Sequence, residues 1–307
     1  MNSFPDTNSS TISCVVLNWN GGSDTVACIR SLLSSRDVAL DIVVIDNGSM
    51  DRSVELLEEQ FLTLTILKHQ SNIGVAGGFN LGIDCAIAKG HSLVFFLNND
   101  ATVESDCLLV LKQVLDTNNR AGIVSPRILD RSRPGTMWFD GGRFNFAGDP
   151  VHAGMSLSSD RKADIREEGF ASGCAMLVRA VVFADAGKFD ERFFAYSEDV
   201  EFCLRARAHG WKILHVPEAI VTHAPSSAVK KNRGKWFRDY YVTRNKLLLL
   251  RKRVTGLRWA LFLAYFGVLY VAVPSAVFLL RGKVTRVRAV WSGLGDFIKG
   301  RFGGRYS

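Results

Sequence analysis

The stretch LVFFLNND, residues 93–100, decides the architecture. Five apolar residues read as a buried strand and run directly into Asn98, Asn99 and Asp100, so two amides and a carboxylate emerge where a central strand reaches the edge of its sheet. In open α/β sheets that edge is where ligands bind. Asn98 and Asp100 stand two positions apart and share a side, offering an amide oxygen and a carboxylate oxygen to a hard divalent cation that carries phosphates. Taken alone, the same residues also describe a strand end followed by a helix cap.

Working outward, TISCVVL (residues 11–17) is another continuous apolar strand. It breaks into Asn18, Trp19, Asn20, Gly21 and Gly22 before a helix near residues 23–34. A strand over residues 40–45 ends in Asp46-Asn47-Gly48-Ser49 ahead of a helix over residues 51–60, and residues 63–68 add a third strand. NIGVAGGFN, from Asn72 to Asn80, then opens a helix that reaches about residue 88. Strand, polar turn and helix in repetition predict an α/β fold with a mostly parallel central sheet flanked by helices. Each turn falls at the carboxyl end of its strand, so Trp19, Asp46, the loop with Gly74, Gly77 and Gly78, and Asp100 should gather along one rim. There an indole can stack a nucleobase, a carboxylate can accept hydrogen bonds from a base or a ribose, and closely spaced glycines let backbone approach a charged ligand. An Asx turn at Asp46 and packing of Trp19 beneath its loop are the bland alternatives. The glycines do not form G-x-G-x-x-G and no GKS/T occurs, which gives no support to a dinucleotide dehydrogenase or a P-loop ATPase.

Residues 122–170 lose regular periodicity and turn rich in Gly, Arg and Asp, which suggests a lid or an acceptor-side insertion. FASGCAMLV (170–178) reads as a small-residue strand suited to close packing. In FDERFFAYSEDVEFCLRARAHGW (189–211), Glu198 and Asp199 open a helix that ends at Gly210. Acids at a helix N-terminus are favoured on structural grounds alone, yet an aromatic approach to two adjacent carboxylates also describes a sugar-binding wall beside a general base. Two short strands, 211–216 and 219–223, follow. His69, His91, His152, His209 and His215 read as structural. His223 differs because it ends a strand at the edge expected for Asp100, where an imidazole can complete the coordination of Mn²⁺ or Mg²⁺.

Composition sets the frame. With 307 residues, 47% of them hydrophobic, and a mean hydropathy of +0.09, the chain is folded and has some affinity for membranes. Its six cysteines are scattered singly without metal-type spacing and read as reduced core residues of a cytosolic chain. Residues 1–10 form a polar leader without the basic and apolar regions of a secretory signal. Charge divides the chain near residue 226: residues 226–307 carry net +16 and residues 1–225 net −8. In the basic part, residues 230–253 interleave aromatics with Lys and Arg, as in a helix lying on an anionic membrane. Residues 259–280 carry no formal charge, enough to span a bilayer, although Pro274 and positive flanks also allow a kinked pair that dips into one leaflet, and the bland alternative is a buried helix of a soluble domain. Charge that brackets an apolar run suits lipid and argues against nucleic acid, and one span cannot line the export channel of a processive synthase.

As a set, in order and spacing, LNWNGG, IDNGSMDRS, NIGVAGGFNLG, FLNND, ASGCAMLVR, FAYSEDVEFCLRARAHGW, VTHAPS and YYVTRNKLLL resemble the family 2 glycosyltransferases of the GT-A (Rossmann-like) fold. The bacterial rhamnosyltransferase-like branch, which builds cell-surface polysaccharides, is the nearest likeness. The resemblance covers about residues 10–250. It implies a transferase domain over residues 11–225 and a basic, helical, membrane-associated region over residues 226–307. It implies that Asn18, Trp19 and Asp46 hold the nucleotide of a dTDP- or UDP-linked sugar, with Asn72, Gly74, Gly77 and Gly78 alongside. The family's D-x-D element falls on Asn98, Asn99 and Asp100; asparagine replaces its first aspartate, so Asp100 becomes the main carboxylate ligand of Mn²⁺ or Mg²⁺ with His223 beside it. Asp199 is implied as the catalytic base, with Glu198 as its neighbour. The expected activity is inverting transfer of rhamnose or a related hexose to a lipid-linked or polysaccharide acceptor at the cytoplasmic face of the plasma membrane, by a chain that can act as a homo-oligomer. The alternative is a catalytically inactive nucleotide-sugar-binding scaffold, suggested by the missing aspartate.

Overall fold

The computed structural model describes residues 11–145, 149–153, 164–224, 234–252 and 256–305. The polar leader and the domain boundary at residue 225 lie outside them.

Strands β1 (Thr11–Asn18), β2 (Ala39–Asn47), β3 (Thr65–His69) and β4 (Leu93–Asn98) alternate with helices α1 (Gly22–Leu33), α2 (Ser53–Gln60) and α3 (Gly74–Ala88) as the sequence predicts. β1 pairs in parallel with β2 on one side and β4 on the other, and β3 pairs in parallel with β2. The chain therefore moves outward from β1 and returns to its opposite flank, leaving a crevice between the ends of β1 and β4. Beyond β4 come β11 (Ala175–Arg179), β6 (Ala121–Asp130) and β12 (Lys212–His223), with β10 (Arg166–Glu167) at the edge. β11 is antiparallel to both β4 and β6, whereas β6 and β12 run with the first four. The sheet is thus mixed and mostly parallel. Short β5 (Ala101–Val103) folds back onto β12, and β7 (Met137–Phe139) onto β6. β8 (Gly142–Phe144) and β9 (Pro150–His152) form a separate ribbon, and helices α4 (Cys107–Thr117), α5 (Ala180–Ala186) and α6 (Glu198–Ala208) pack on the second half of the sheet.

α3 shows how the sequence sets the layer spacing. A Cβ on Gly78 would stand 2.3 Å from Leu17 Cδ1, and one on Gly82 2.2 Å from Val15 Cγ1, so bare backbone lies directly on β1. That approach lets Phe79 meet Phe96 at a ring separation of 4.8 Å, and Phe96 in turn meets Phe189 edge-on at 5.4 Å. Gly77 lies against the Ile73 side chain. Gly77 and Gly78, expected to admit a ligand, instead admit the protein's own side chains.

Three further expectations are corrected. The irregular stretch from residue 122 contains β6, a strand in the middle of the sheet. Its Arg127 pairs with Asp140, which is fully buried, and polar residues there disguise a core strand. The two short strands at 211–223 are one strand, β12, with a register shift between Val216 and Ile220. The basic segment near residues 230–253 is not a free surface helix with all its cations outward: Lys235, Arg238, Arg251 and Lys252 are exposed, whereas its other described cations turn inward. Residues 230–233 and 253 are outside the described residues; the rest forms α7 (Gly234–Arg251), whose Tyr240, Tyr241, Arg244, Asn245 and Lys246 are buried, with Asn245 bonded to the 193–196 loop and Lys246 paired with Asp149. α8 (Gly256–Phe266), a π-helical turn (Gly267–Ala272), α9 (Val273–Leu280) and α10 (Val284–Ile298) complete the chain. α7 and α10 pack closely at Gly293, where a Cβ would stand 2.6 Å from the Tyr240 carbonyl oxygen.

Candidate active site

Parallel register puts Asn18 opposite Asp46, and Leu17 opposite Asn98, at the rim. Asn18 donates to Asp46 Oδ1 at 2.8 Å and to Ser53 Oγ at 3.0 Å, and it accepts from Thr25 Oγ1 at 2.7 Å. Thr25 accepts in turn from Asn99 Nδ2 at 3.0 Å. A continuous polar chain thus joins Asp46 to the residue beside Asp100. Asn18 is fully committed to this chain, so it sets the Asp46 carboxylate in place and has no side-chain donor left for a nucleotide. Trp19 follows directly, half-buried, in a loop fastened where Asn20 accepts from the Met50 amide at 2.8 Å. Asn72 accepts from the Gly74 amide at 2.9 Å, an Asx turn. Gly74 has φ +81°, and a Cβ on it would strike Phe194.

Asp100 and His223 meet because β5 turns back onto β12, pairing Ala101 with His223. Both side chains are buried. His223 Nε2 lies 3.0 Å from Asp100 Oδ1 but off a hydrogen-bonding line, and neither ring nitrogen has a hydrogen-bond partner among the described residues. A buried imidazole left unbonded beside a carboxylate is costly unless something else satisfies both. The spacing suits two neighbouring ligands of a divalent cation, since adjacent donors in an octahedral shell with bonds of about 2.1 Å stand about 3.0 Å apart; no third His, Cys, Asp or Glu joins them among the described residues. Asn98 follows on the same rim, its backbone amide bonded to the Cys174 carbonyl at 2.9 Å.

The acidic pair reaches this corner through β11. Asp199 Oδ2 accepts from the Gly173 amide at 2.8 Å, immediately before Cys174. Burial raises the Cys174 thiol pKa, and the charges of Asp100 and Asp199, both close by, push it the same way. Glu198 points inward. Burial first, and Asp199 second, push its pKa up to about 8, and its Oε2 has no hydrogen-bond partner among the described residues. Glu198 is therefore held protonated on the inner side, while Asp199 stands half-exposed on the outer side, open to a substrate. Ser197 makes no side-chain capping bond, but Asp199 Oδ1 accepts from the Val200 amide at 2.8 Å, so Asp199 also serves the helix start structurally.

Sequence reasoning missed several groups here. Trp138 packs edge-on against His223 at 4.6 Å and against His152 at 5.0 Å. Burial lowers the His152 pKa while the Asp199 charge opposes it, which sets His152 near Asp199. The irregular segment thus supplies a wall from Asp199 around to His223; its residues 146–148 and 154–163 are outside the described residues. Phe194, Tyr196 and Ser197, just before the acidic pair, have φ of 62°, 69° and 71°, conformations costing on the order of 1–3 kcal/mol each for non-glycine residues. Asn245 of α7 holds this loop, its Nδ2 lying 2.7 to 2.8 Å from the carbonyl oxygens of Phe193, Ala195 and Tyr196. Arg244 donates to the Arg192, Phe193 and Gly303 carbonyls. Arg244 and Asn245 fall in YYVTRNKLLL, one of the stretches that carry the resemblance, but the sequence gives them no role because their acceptors are backbone. His215, by contrast, is structural as expected, 3.1 Å from Asp140 and 3.4 Å from Ser125.

The sequence profile of the family described as Glycosyl transferase family 2 matches residues 13–186. The chain belongs to that family. This glycosyltransferase is 23% identical over 271 residues to the N-acetylglucosaminyl-diphospho-decaprenol L-rhamnosyltransferase of Mycobacterium tuberculosis, covering 80% of this chain and 88% of that one. It is 24% identical over 277 residues to the dTDP-rhamnosyl transferase RfbF of Shigella flexneri, covering 87% and 89%. A low-salt glycan biosynthesis hexosyltransferase of Haloferax volcanii is 26% identical over 205 residues, and the match spans 61% of that protein's length. Among solved structures, the mannosyltransferase PcManGT from Pyrobaculum calidifontis, in complex with GDP-Man and Mn2+, aligns with a TM-score of 0.59 at 15% identity over 97% of this chain and 90% of that one. That likeness shows the GT-A fold.

Proposed function

We propose that this glycosyltransferase moves rhamnose, or a related hexose, from a dTDP- or UDP-linked donor to a lipid-linked or polysaccharide acceptor at the cytoplasmic face of the plasma membrane, with inversion at the anomeric carbon. The observation that carries the reading is the meeting of Asp100 and His223 at the corner that Asp199 reaches through Gly173. Rhamnosyl transfer, and an acceptor carried on a lipid diphosphate, are supported by the names of the Mycobacterium and Shigella relatives.

In this reading Asp46 accepts hydrogen bonds from the nucleoside and Trp19 stacks its base. Asp100 and His223 would hold Mn²⁺ or Mg²⁺, which when bound supplies positive charge beside the departing diphosphate. Asp199 takes the proton from the acceptor hydroxyl as that oxygen attacks the anomeric carbon from the face opposite the leaving group. Glu198, kept protonated by burial, spares Asp199 a second adjacent negative charge. Trp138 and His152 wall the acceptor side and exclude water.

The test is Asp199→Asn. Release of nucleoside diphosphate from dTDP-rhamnose and from a panel of UDP-sugars, with a lipid-linked acceptor and Mn²⁺ or Mg²⁺, should fall by about a hundredfold or more while the fold persists. Turnover near that of the parent would remove Asp199 from the chemistry. Absence of turnover with every donor in the parent chain would favour the inactive scaffold.

A further inference from the structure

Residues 259–280 form a helical stretch of 22 residues with a mean hydropathy of 2.1 over its most apolar window. By length it can cross a bilayer. Its neighbours argue otherwise. Phe262, Phe266 and Val271 are buried against Leu247 and Leu250 of α7 and Val290 of α10. Trp259 lies under the Arg251 guanidinium at 5.5 Å. Midway along, the Tyr270 ring stands 3.5 Å from Lys246 Nζ and its hydroxyl bonds Asp149. Near the far end, Phe278 carries the Arg286 guanidinium at 3.9 Å, and Arg286 is itself paired with Asp239. One face is therefore fastened from end to end to the charged, folded part of the molecule.

A crossing helix would drag Lys246, Asp149, Arg286 and Asp239 into hydrocarbon, where every charge near the centre is costly. The opposite face carries Leu257, Leu261, Leu269, Val273, Leu279 and Leu280, exposed up to 88% at Leu280. Next to it Arg281, Lys283, Arg288, Lys299 and Arg301 have no carboxylate partner among the described residues. Arg288, Lys299 and Arg301 line a recess of ≈440 Å³ with Trp291 and the Arg305–Asp296 ion pair, so its lining is net cationic, and Trp291 also donates to Ser275 of α9 at 3.2 Å. An apolar face bordered by unpaired cations and an exposed indole complements the acyl and headgroup layers of an anionic leaflet.

We propose that α8 and α9 lie in the plane of an anionic bilayer, sunk into a single leaflet with both ends on one side, and do not cross it. This rests on the membrane reading above and specifies its geometry. Purified full-length chain should co-sediment with phosphatidylcholine vesicles only when phosphatidylglycerol is included. Arg288→Glu should weaken that binding roughly fivefold or more, the loss expected from removing one cation near a charged surface. Leu257→Cys and Lys283→Cys, one at each end, should react with a membrane-impermeant maleimide from the same side in sealed inside-out and right-side-out membrane vesicles, measured over the parent chain. Reaction from opposite sides would overturn the in-plane geometry while leaving membrane attachment standing. No vesicle binding, with a stable dimer in solution, would assign the apolar face to a second copy and overturn the proposal. Neither assay involves sugar transfer, so either failure leaves the transferase reading intact.

Discussion

Glu198 shows how one buried atom set couples chemistry to stability. Its folded-state pKa stands at about 8 against an ordinary 4.5 because burial, then Asp199, disfavour its charge. Below the ordinary value both folded and unfolded chains hold the proton. Between that value and about 8 only the folded chain does, so stability falls as pH rises through this window, by an amount on the order of a few kcal/mol. Denaturant midpoints measured across that range should show the decline, and Glu198→Gln should flatten it. Asn245 governs the same loop from behind. Asn245→Ala leaves three carbonyls of a strained turn without their donor, and a shift of about 1 Å in Asp199 would cost about a hundredfold in kcat. The donor KM should stay near that of the parent, because Asp46 and Asp100 are held by other elements. An equal rise in KM would count against a positioning role. At this scale Asp46, Asp100 and His223 are legible in the sequence, since each stands at the polar end of an apolar run, whereas Glu198 and Asp199 open a helix and their role comes from the resemblance alone. Trp138, His152 and Asn245 are not legible, because their significance comes only from partners far along the chain.

Elements differ in how plainly they announce themselves. β1 to β4 are continuous apolar runs cut off by Asn, Asp and Gly, and the structure follows them to within a few residues. β6 was hidden because AGIVSPRILD mixes Pro126, Arg127 and Asp130 into a buried strand, and the charge is answered by Asp140 from another strand connection. α7 misled for the opposite reason. Its cations and aromatics look like the two faces of a surface helix, yet Arg244 stacks on Tyr241 at 4.8 Å and spends its donors on backbone carbonyls inside the protein. Nothing local separates those two fates. The contact between α7 and α10 gives an element-level test. Gly293→Val would press a side chain into the Tyr240 carbonyl, which cannot yield without moving α7. A loss of about 1–3 kcal/mol is expected, seen as a lower Tm. Substitution at the half-buried Gly295, where a Cβ meets nothing within 4 Å, should be tolerated far better and serves as the control.

On the scale of the whole molecule, the charge contrast between residues 1–225 and residues 226–307 was legible, but its division of labour was not. The basic part was expected to be an attachment hung on a complete catalytic domain. Instead α7 and the tail are stitched into that domain: Arg244 bonds both Gly303 and the loop at residues 192–193, the Gly303 amide donates to the Arg192 carbonyl, and a Cβ on Gly304 would meet the Phe194 ring at 2.7 Å. A chain cut at residue 225 should therefore lose turnover even where it stays in solution, with an earlier melting transition and the 189–199 segment opened to proteases. Full activity in that fragment would show that the support is dispensable.

The stitching by Gly303 and Gly304 also bears on how the enzyme can be prepared. Shortening the polypeptide, the customary remedy for a protein that clings to detergent, would sacrifice the brace along with the grease. Repainting Leu261, Leu269 and Leu280 with glutamate leaves every inward contact of α7 and α10 in place, so a water-loving version that still works should come from redecoration of the outer surface and not from scissors.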